Sequence, residues 1–278
     1  LAKGAPKETA SDAGKWTTPL PALRALAPAL SPPPSVGAGF TVKVLYESAH
    51  GDAVTGDFYD VFAVGEGRVA LVLGAVTAGG LEAAAFASDV RSAVRTVLCD
   101  VLPEPTDPAR ALDVLNESVA TAERLDGEHL GATYVTLALA LLDTRTGEVT
   151  CSTAGSEPPF VLRRADGKGG EVVPLAAGGP MLGALPPAAH DATSAAYESQ
   201  SVVMESGDIL VLFSDGVTQA RGVGGKVFGH AGLVEAMRRA APVLPSLSAL
   251  GESVMQRAKT FAGRTQRDDA CLLLARRL

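Results

Sequence analysis

From Phe40 to Val76 apolar residues recur with the short period of strands. "FTVKVLYESA" opens the run, and "DFYDVFAVGEGRVALVLGAV" reads as a hairpin whose two β-rich arms meet at a Gly65-Glu66-Gly67 turn. Helical spacing then takes over. Val90, Val94, Val97, Leu98 and Val101 predict one apolar helix face, and Leu112, Leu115, Val119 and Ala122 predict a second helix opened by "PTDPAR". A long series of short strands follows: "TYVTLALALLD", "EVTCSTAG", "PFVLRR", "GEVVPL", "QSVVME" and "DILVLFSD". Tight turns such as "TRTG", "ADGKGG" and "ESGD" separate them and predict antiparallel meanders. Two more helices are predicted at 230–241 and 246–262, the second with Leu247, Leu250, Val254, Ala258 and Phe261 as its stripe and Gly263 as its stop. "ACLLLARRL" is the last strand. Helix pairs separated by antiparallel strands imply an α+β domain, with sheets in the middle and helix pairs outside.

Ahead of this domain, residues 1–39 are rich in Ala and Pro, and "LSPPPSVGAG" marks a linker. A short helix over 21–30 is opposed by Pro28, and Trp16 is a lone aromatic in this tail. The division is therefore an N-terminal segment, 1–39, and a folded domain, 40–278. The start at Leu1 implies a piece of a longer protein.

A net charge of −7, with scattered Lys and Arg, argues against nucleic-acid binding, which calls for a basic stripe. No apolar run is long enough to span a bilayer and no signal pattern opens the chain, so the expectation is a cytoplasmic protein with no membrane association. Cys99, Cys151 and Cys271 lie far apart without CxxC spacing and read as small buried hydrophobes.

The candidate chemistry lies in acids at strand ends: Asp57 and Asp60 in "TGDFYD", Asp215 in "FSDGVTQA", and Asp268 with Asp269 in "QRDDACLLL". Carboxylates converging there would make a hard-oxygen site for Mg²⁺ or Mn²⁺. Each could equally cap a turn. Other chemistries are weaker. "GVGGKVFG" lacks phosphate-loop spacing, no GxSxG elbow occurs, and His50, His129, His190 and His230 show no metal-ligand spacing.

Several blocks in order resemble the metal-dependent Ser/Thr protein phosphatases, the PPM family, in the bacterial branch typified by SpoIIE and RsbU. They are "TGDFYDVF", "LVLGAVTAGGLEAAAFAS", "ATYVTLALALLDTRTGEVTCSTAGSEPPFVLR", "GPMLGAL", "SGDILVLFSDGVTQAR", "VFG" and "DDACLLL". The resemblance implies an α-β-β-α sandwich of two antiparallel sheets flanked by helix pairs. It implies a two-metal centre, Mn²⁺ or Mg²⁺, whose bound water attacks phosphoserine or phosphothreonine. Asp57 would stand beside the second metal, and Asp215 and Asp268 would ligate the first, with Gly56, Gly216 and Asp269 as accompanying binding positions.

The same resemblance places a bridging Asp, then a residue ligating through its carbonyl, in a block that reads "GAVTAGG" here. Ala75 stands at the bridge and Val76 offers at most a carbonyl. Thr55, Thr77-Ala78-Gly79, Ser156 and Gln219 also depart from the family pattern, which points to natural drift over several blocks. Two functions compete. One is a pseudophosphatase with an impaired metal centre and at most one weakly held ion, which acts by binding a regulatory protein. The other is an active phosphatase working on an anti-anti-sigma-type regulator. By resemblance the partner is of STAS type, phosphorylated or not, and a homodimer is compatible with the fold.

Overall fold

A computed structural model describes residues 39–48, 56–77, 80–102, 107–125, 133–164, 170–185, 196–243, 246–263 and 268–278. The linker before Gly39, the proposed helix at 21–30, Trp16, Thr55, Ala78, Gly79, His50, His129 and His190 lie outside the described residues. The order begins β1 (Phe40–Glu47), β2 (Asp57–Ala63), β3 (Arg68–Val76), α1 (Gly80–Thr96) and α2 (Pro108–Leu125). It continues with β4 (Val135–Asp143), β5 (Glu148–Ala154), β6 (Phe160–Leu162), β7 (Val172–Pro174), β8 (Gly178–Gly179), β9 (Gln200–Val203) and β10 (Ile209–Phe213). The short turn α3 (Asp215–Thr218), α4 (Gly229–Ala240), α5 (Leu247–Ala262) and β11 (Ala270–Arg277) complete it.

A five-stranded sheet runs β1-β11-β10-β6-β7, and a six-stranded sheet runs β2-β3-β4-β5-β8 with β9 also on β5. Alternation along single strands explains the layering. In β10, Leu210 and Leu212 join the apolar layer between the sheets, while Ile209, Val211 and Phe213 face α4 and α5. In β3, Val69, Leu71 and Leu73 enter the inter-sheet layer, while Ala70 and Val72 face α1 and α2. Strands buried on both faces read as unbroken apolar runs, as "ILVLF" does. The result is an α-β-β-α sandwich.

The meander expectation needs correction. Pairing is antiparallel except for β5 with β8, but the chain changes sheets repeatedly. β1 pairs with β11 and not with β2, and β6 and β7 cross to the sheet opposite β5 before β8 and β9 return. Turn chemistry sets local reversal, whereas sheet membership is set by which apolar layer a short strand can fill.

Helix faces also depart in detail. Val90, Val94, Val97 and Leu98 are buried, but Val101 is 52% exposed. The last turn, Val97–Val101, is a π-turn, with the Leu102 N–H donating to the Val97 carbonyl. The extra residue rotates Val101 off the face and puts Leu102 in the core. Cys99 on that turn is exposed, unlike Cys151 and Cys271. On α5, Leu247, Leu250, Val254 and Ala258 are buried, and the Ser246 hydroxyl caps the Ala249 N–H at 3.1 Å. Phe261 is partly exposed and packs on Phe228, with ring centroids 5.6 Å apart. Among the described residues no helix is long and apolar enough to cross a membrane.

Candidate functional site

Antiparallel pairing carries the sequence-predicted acids to one edge of the sandwich. β2 begins at Asp57, directly opposite Ala75 near the end of β3, and Ala75 in turn faces Thr136 on β4. On the other sheet β10 ends at Phe213, paired with Leu272 at the start of β11, so Asp215 leaves the sheet where Asp268 and Asp269 enter it. Ser214 fastens these ends. Its N–H donates to the Cys271 carbonyl at 2.9 Å, and its Oγ accepts from the Cys271 N–H at 2.9 Å. Two positions on, the residue has to be glycine. A Cβ on Gly216 would lie 1.9 Å from the Asp269 carbonyl oxygen, so the Asp215 turn rests directly on the backbone that carries Asp268 and Asp269.

Between the two sheet ends opens a cleft of about 370 Å³ lined by Leu73, Gly74, Ala75, Thr136, Gly155, Ser156, Glu157, Ser214, Asp215 and Gln219. The Thr136 hydroxyl reaches the Ala75 carbonyl at 3.4 Å. Thr77 is tied back to Tyr134, its hydroxyl donating to the Tyr134 carbonyl at 3.0 Å and accepting from the Tyr134 N–H at 2.9 Å. The Val76 N–H donates to the Gly56 carbonyl at 3.1 Å, which holds Gly56 beside the end of β3.

The electrostatics are those of crowded carboxylates. Burial, and then the charges of Asp269, Asp268 and Asp215, push Asp57 up to about 8, against a smaller opposing hydrogen bond from Ser214. Asp215 is also raised, first by burial and next by Asp268, with the Gly216 N–H opposing and Glu157 adding to the rise. Asp57 therefore lies within reach of the charges of Asp215, Asp268 and Asp269, and Asp215 within reach of that of Asp268.

Asp60 does not join them. It is fully buried on the other side of the hairpin, where Arg95 holds both its oxygens at 2.6 and 2.7 Å and lies 4.4 Å over the Phe62 ring. Alternation along β2 puts Asp57 and Asp60 on opposite faces. Sequence reasoning missed Glu157. Its signal is the one that marks the others, an acid just past a buried strand, here within "GSEPP".

As a donor set, Asp57, Glu157, Asp215, Asp268 and Asp269 offer only hard oxygens, the chemistry of Mg²⁺ or Mn²⁺. The methyl group of Ala75 offers none. Its Cβ stands roughly 4.5–5.5 Å from that of Asp57, as for any directly opposed pair, so a carboxylate at 75 would share a cation with Asp57. Among the described residues no three His, Cys, Asp or Glu side chains converge closely enough to hold an ion as they stand.

Comparison with known proteins agrees with this architecture. "Protein IcfG" of Synechocystis is 27% identical over 213 residues, covering 70% of this chain and 32% of that protein, so the chain spans about a third of that relative. The structure of the RsbU and RsbW domains of Rv1364c from Mycobacterium tuberculosis is similar with a TM-score of 0.64 at 24% identity, over 87% of this chain and 61% of that one. The catalytic domain of the serine threonine protein phosphatase PstP, solved in complex with two manganese ions, is similar with a TM-score of 0.57 at 17% identity, over 86% of this chain and 98% of that one. The family model "Stage II sporulation protein E (SpoIIE)" matches residues 65–278, and the chain thus belongs to the SpoIIE family, the bacterial SpoIIE/RsbU-like branch of the PPM protein phosphatases.

Proposed function

We propose that this chain is a phosphatase-fold domain of bacterial partner-switching signalling whose metal centre has lost its bridge, so that it turns over weakly or not at all and works by holding a regulatory protein. The observation that carries the reading is Ala75 directly opposite Asp57. Two divalent ions a few ångströms apart repel strongly and need an anion between them. One Mg²⁺ or Mn²⁺ on the Asp215 and Asp268 side needs no such bridge. When bound, such a metal would supply Lewis-acid charge and an activated water. The chain's own part is to hold Asp215 and Asp268 in register through Ser214 and Gly216 and to keep the cleft open to a side chain of the partner.

The partner reading draws support from the rim of the cleft and from the Mycobacterium tuberculosis neighbour, in which RsbU and RsbW domains belong to one protein. Beyond Asp215, the bridge between Arg221 and Val227 carries Val223 at its tip, 98% exposed. Such a loop is a contact surface for a STAS-type protein, and a site that does not hydrolyse would release it slowly. The competing reading, an active phosphatase, is favoured by the survival of Asp57, Asp215 and Asp268.

One experiment separates them: phosphoprotein hydrolysis in Mn²⁺, and partner capture from native lysate, for wild type and Ala75→Asp. We expect near-background hydrolysis and stable capture by wild type, and at least a hundredfold gain in hydrolysis on restoring the carboxylate. Strong turnover by wild type would sink the pseudophosphatase reading. An Ala75→Asp protein no more active than its parent would show that the whole pocket has been rebuilt.

A further inference from the structure

Cations that look scattered along the chain are gathered at one corner by the fold. Residues 216–234 carry Arg221 and Lys226, residues 253–263 carry Arg257 and Lys259, and neither stretch holds an Asp or Glu. The rest of a chain whose net charge is −7 therefore carries −11. The two stretches touch. Phe228 packs on Phe261 with ring centroids 5.6 Å apart, and a Cβ on Gly222 would come within 2.9 Å of the Phe261 carbonyl oxygen. Arg221, Lys226 and Arg257 are exposed, and among the described residues none of the three is ion-paired, whereas Lys259 meets Glu47 at 2.7 Å. Arg257 stands four residues before Phe261 and so on the same face of α5.

Apolar side chains share this corner. Val223 is 98% exposed, Val227 49% and Phe261 37%. Hydrogen bonds shape the loop that carries the two valines: the Gly222 N–H donates to the Lys226 carbonyl at 2.8 Å, the Gly225 N–H to the Gly222 carbonyl at 3.2 Å, and the Phe228 N–H to the Ala220 carbonyl at 2.9 Å. Gly224 and Gly225 take φ of 74° and 75°, where a side chain would strain the backbone. Val223 is thus held out in water by the loop's own geometry. Folding gains nothing from a valine so placed, and a partner that covered it would.

The corner adjoins the cleft. Gly216 and Ala220 face Met255, Ala258, Lys259 and Ala262 of α5 across a shallow groove, while Asp215 and Gln219 line the cleft itself. An acidic protein is repelled by the net charge of the rest of the chain and attracted here, which fixes its orientation. A bilayer or a nucleic acid calls for a broader cationic face than three exposed charges. We propose that the 221–227 loop and the end of α5 dock an acidic face of the regulatory protein, with Val223 as the apolar contact and Arg221, Lys226 and Arg257 as the charges that orient it beside the cleft. The inference rests on the partner-holding reading above and adds the chemistry of the partner, an apolar seat ringed by carboxylates.

The test places a photo-crosslinking residue at Val223, and separately at Ser156 in the cleft, activates it in native lysate and identifies linked proteins and linked residues by mass spectrometry. The protein linked through position 223 is then purified, and its association with the full chain is followed by stopped flow at low and physiological salt. Its linked face should be acidic. The double variant Arg221→Glu, Lys226→Glu should slow association about tenfold at low salt and less at physiological salt, with the melting temperature of wild type. Arg257→Glu, on the helix and not the loop, should slow it as well, so a change of loop shape cannot account for the result. Val223→Ser should leave association unchanged and speed dissociation about tenfold. Linking through Ser156 but not Val223, a neutral or basic linked face, or an association rate unmoved by charge reversal would overturn the proposal and leave the partner reading standing. Displacement of the protein by phosphatidylcholine–phosphatidylserine vesicles or by a short DNA duplex would overturn it in favour of a lipid or nucleic-acid surface. No protein linked at either position would overturn the partner reading itself, and this proposal with it.

Discussion

Replacing Asp57 by Asn tests the electrostatics of the cleft at the residue where they are largest. The carboxyl is pushed from an ordinary 3.8 up to about 8 by burial and by Asp269, Asp268 and Asp215. In the metal-free fold it therefore holds a proton that the unfolded chain releases above pH 4. Between those values the unfolded state binds fewer protons, so stability falls as pH rises, by roughly 1.4 kcal/mol per pH unit, and the loss is complete above pH 8. At pH 7 this amounts to about 4 kcal/mol, and solvent screening in a cleft open to water reduces it to about 2 kcal/mol. Asn has the shape of the protonated acid and carries no such penalty. In EDTA, Asp57→Asn should therefore unfold about 4–8 °C above wild type at pH 7 to 8, with the difference vanishing near pH 4. Circular dichroism melts across that range provide the measurement. Equal melting temperatures at pH 8, or a variant that loses stability with pH as steeply as wild type, would refute the account of crowded carboxylates.

Two further changes probe the scaffold. Gly216→Ala should destabilise by about 3 kcal/mol or fail to fold, because its methyl group would meet the Asp269 carbonyl, and urea unfolding reads this directly. Arg95→Met should cost about 3 kcal/mol by leaving the fully buried Asp60 without its cation, while leaving Mn²⁺ binding unchanged, since Asp60 lies away from the cleft.

Strand and helix identities were legible because a two-sided core writes itself into the chain. "LALALL" and "ILVLF" are apolar at every position, since both faces of those strands are covered, and α5 carries its stripe between a Ser cap and a Gly stop. The acids at the strand ends were legible for the same reason, as charges abutting runs that have to be buried. The exchange of strands between sheets was not legible, because a turn such as "TRTG" or "ESGD" fixes a reversal but not the layer to which the next strand belongs. Asp57 and Asp60 illustrate the limit at single-residue scale. Three positions apart in one motif, they looked equivalent, and the pleat sent one to the cleft and the other to Arg95.

Periodicity by itself determined an α+β domain with sheets in the middle and helix pairs outside, and the ordered motif blocks carried the resemblance to the family, against which Ala75 stands out where a carboxylate is expected. Only the tertiary structure decided what surrounds that absence: Ala75 facing Asp57 across a strand pair, Ser214 and Gly216 locking Asp215 to the Asp268–Asp269 backbone, and Glu157 arriving from a distant loop to meet Thr218. The Ser214–Cys271 and Thr218–Glu157 contacts join residues 57 and 61 positions apart. Such proximity follows from sheet packing, and no local period in the chain encodes it.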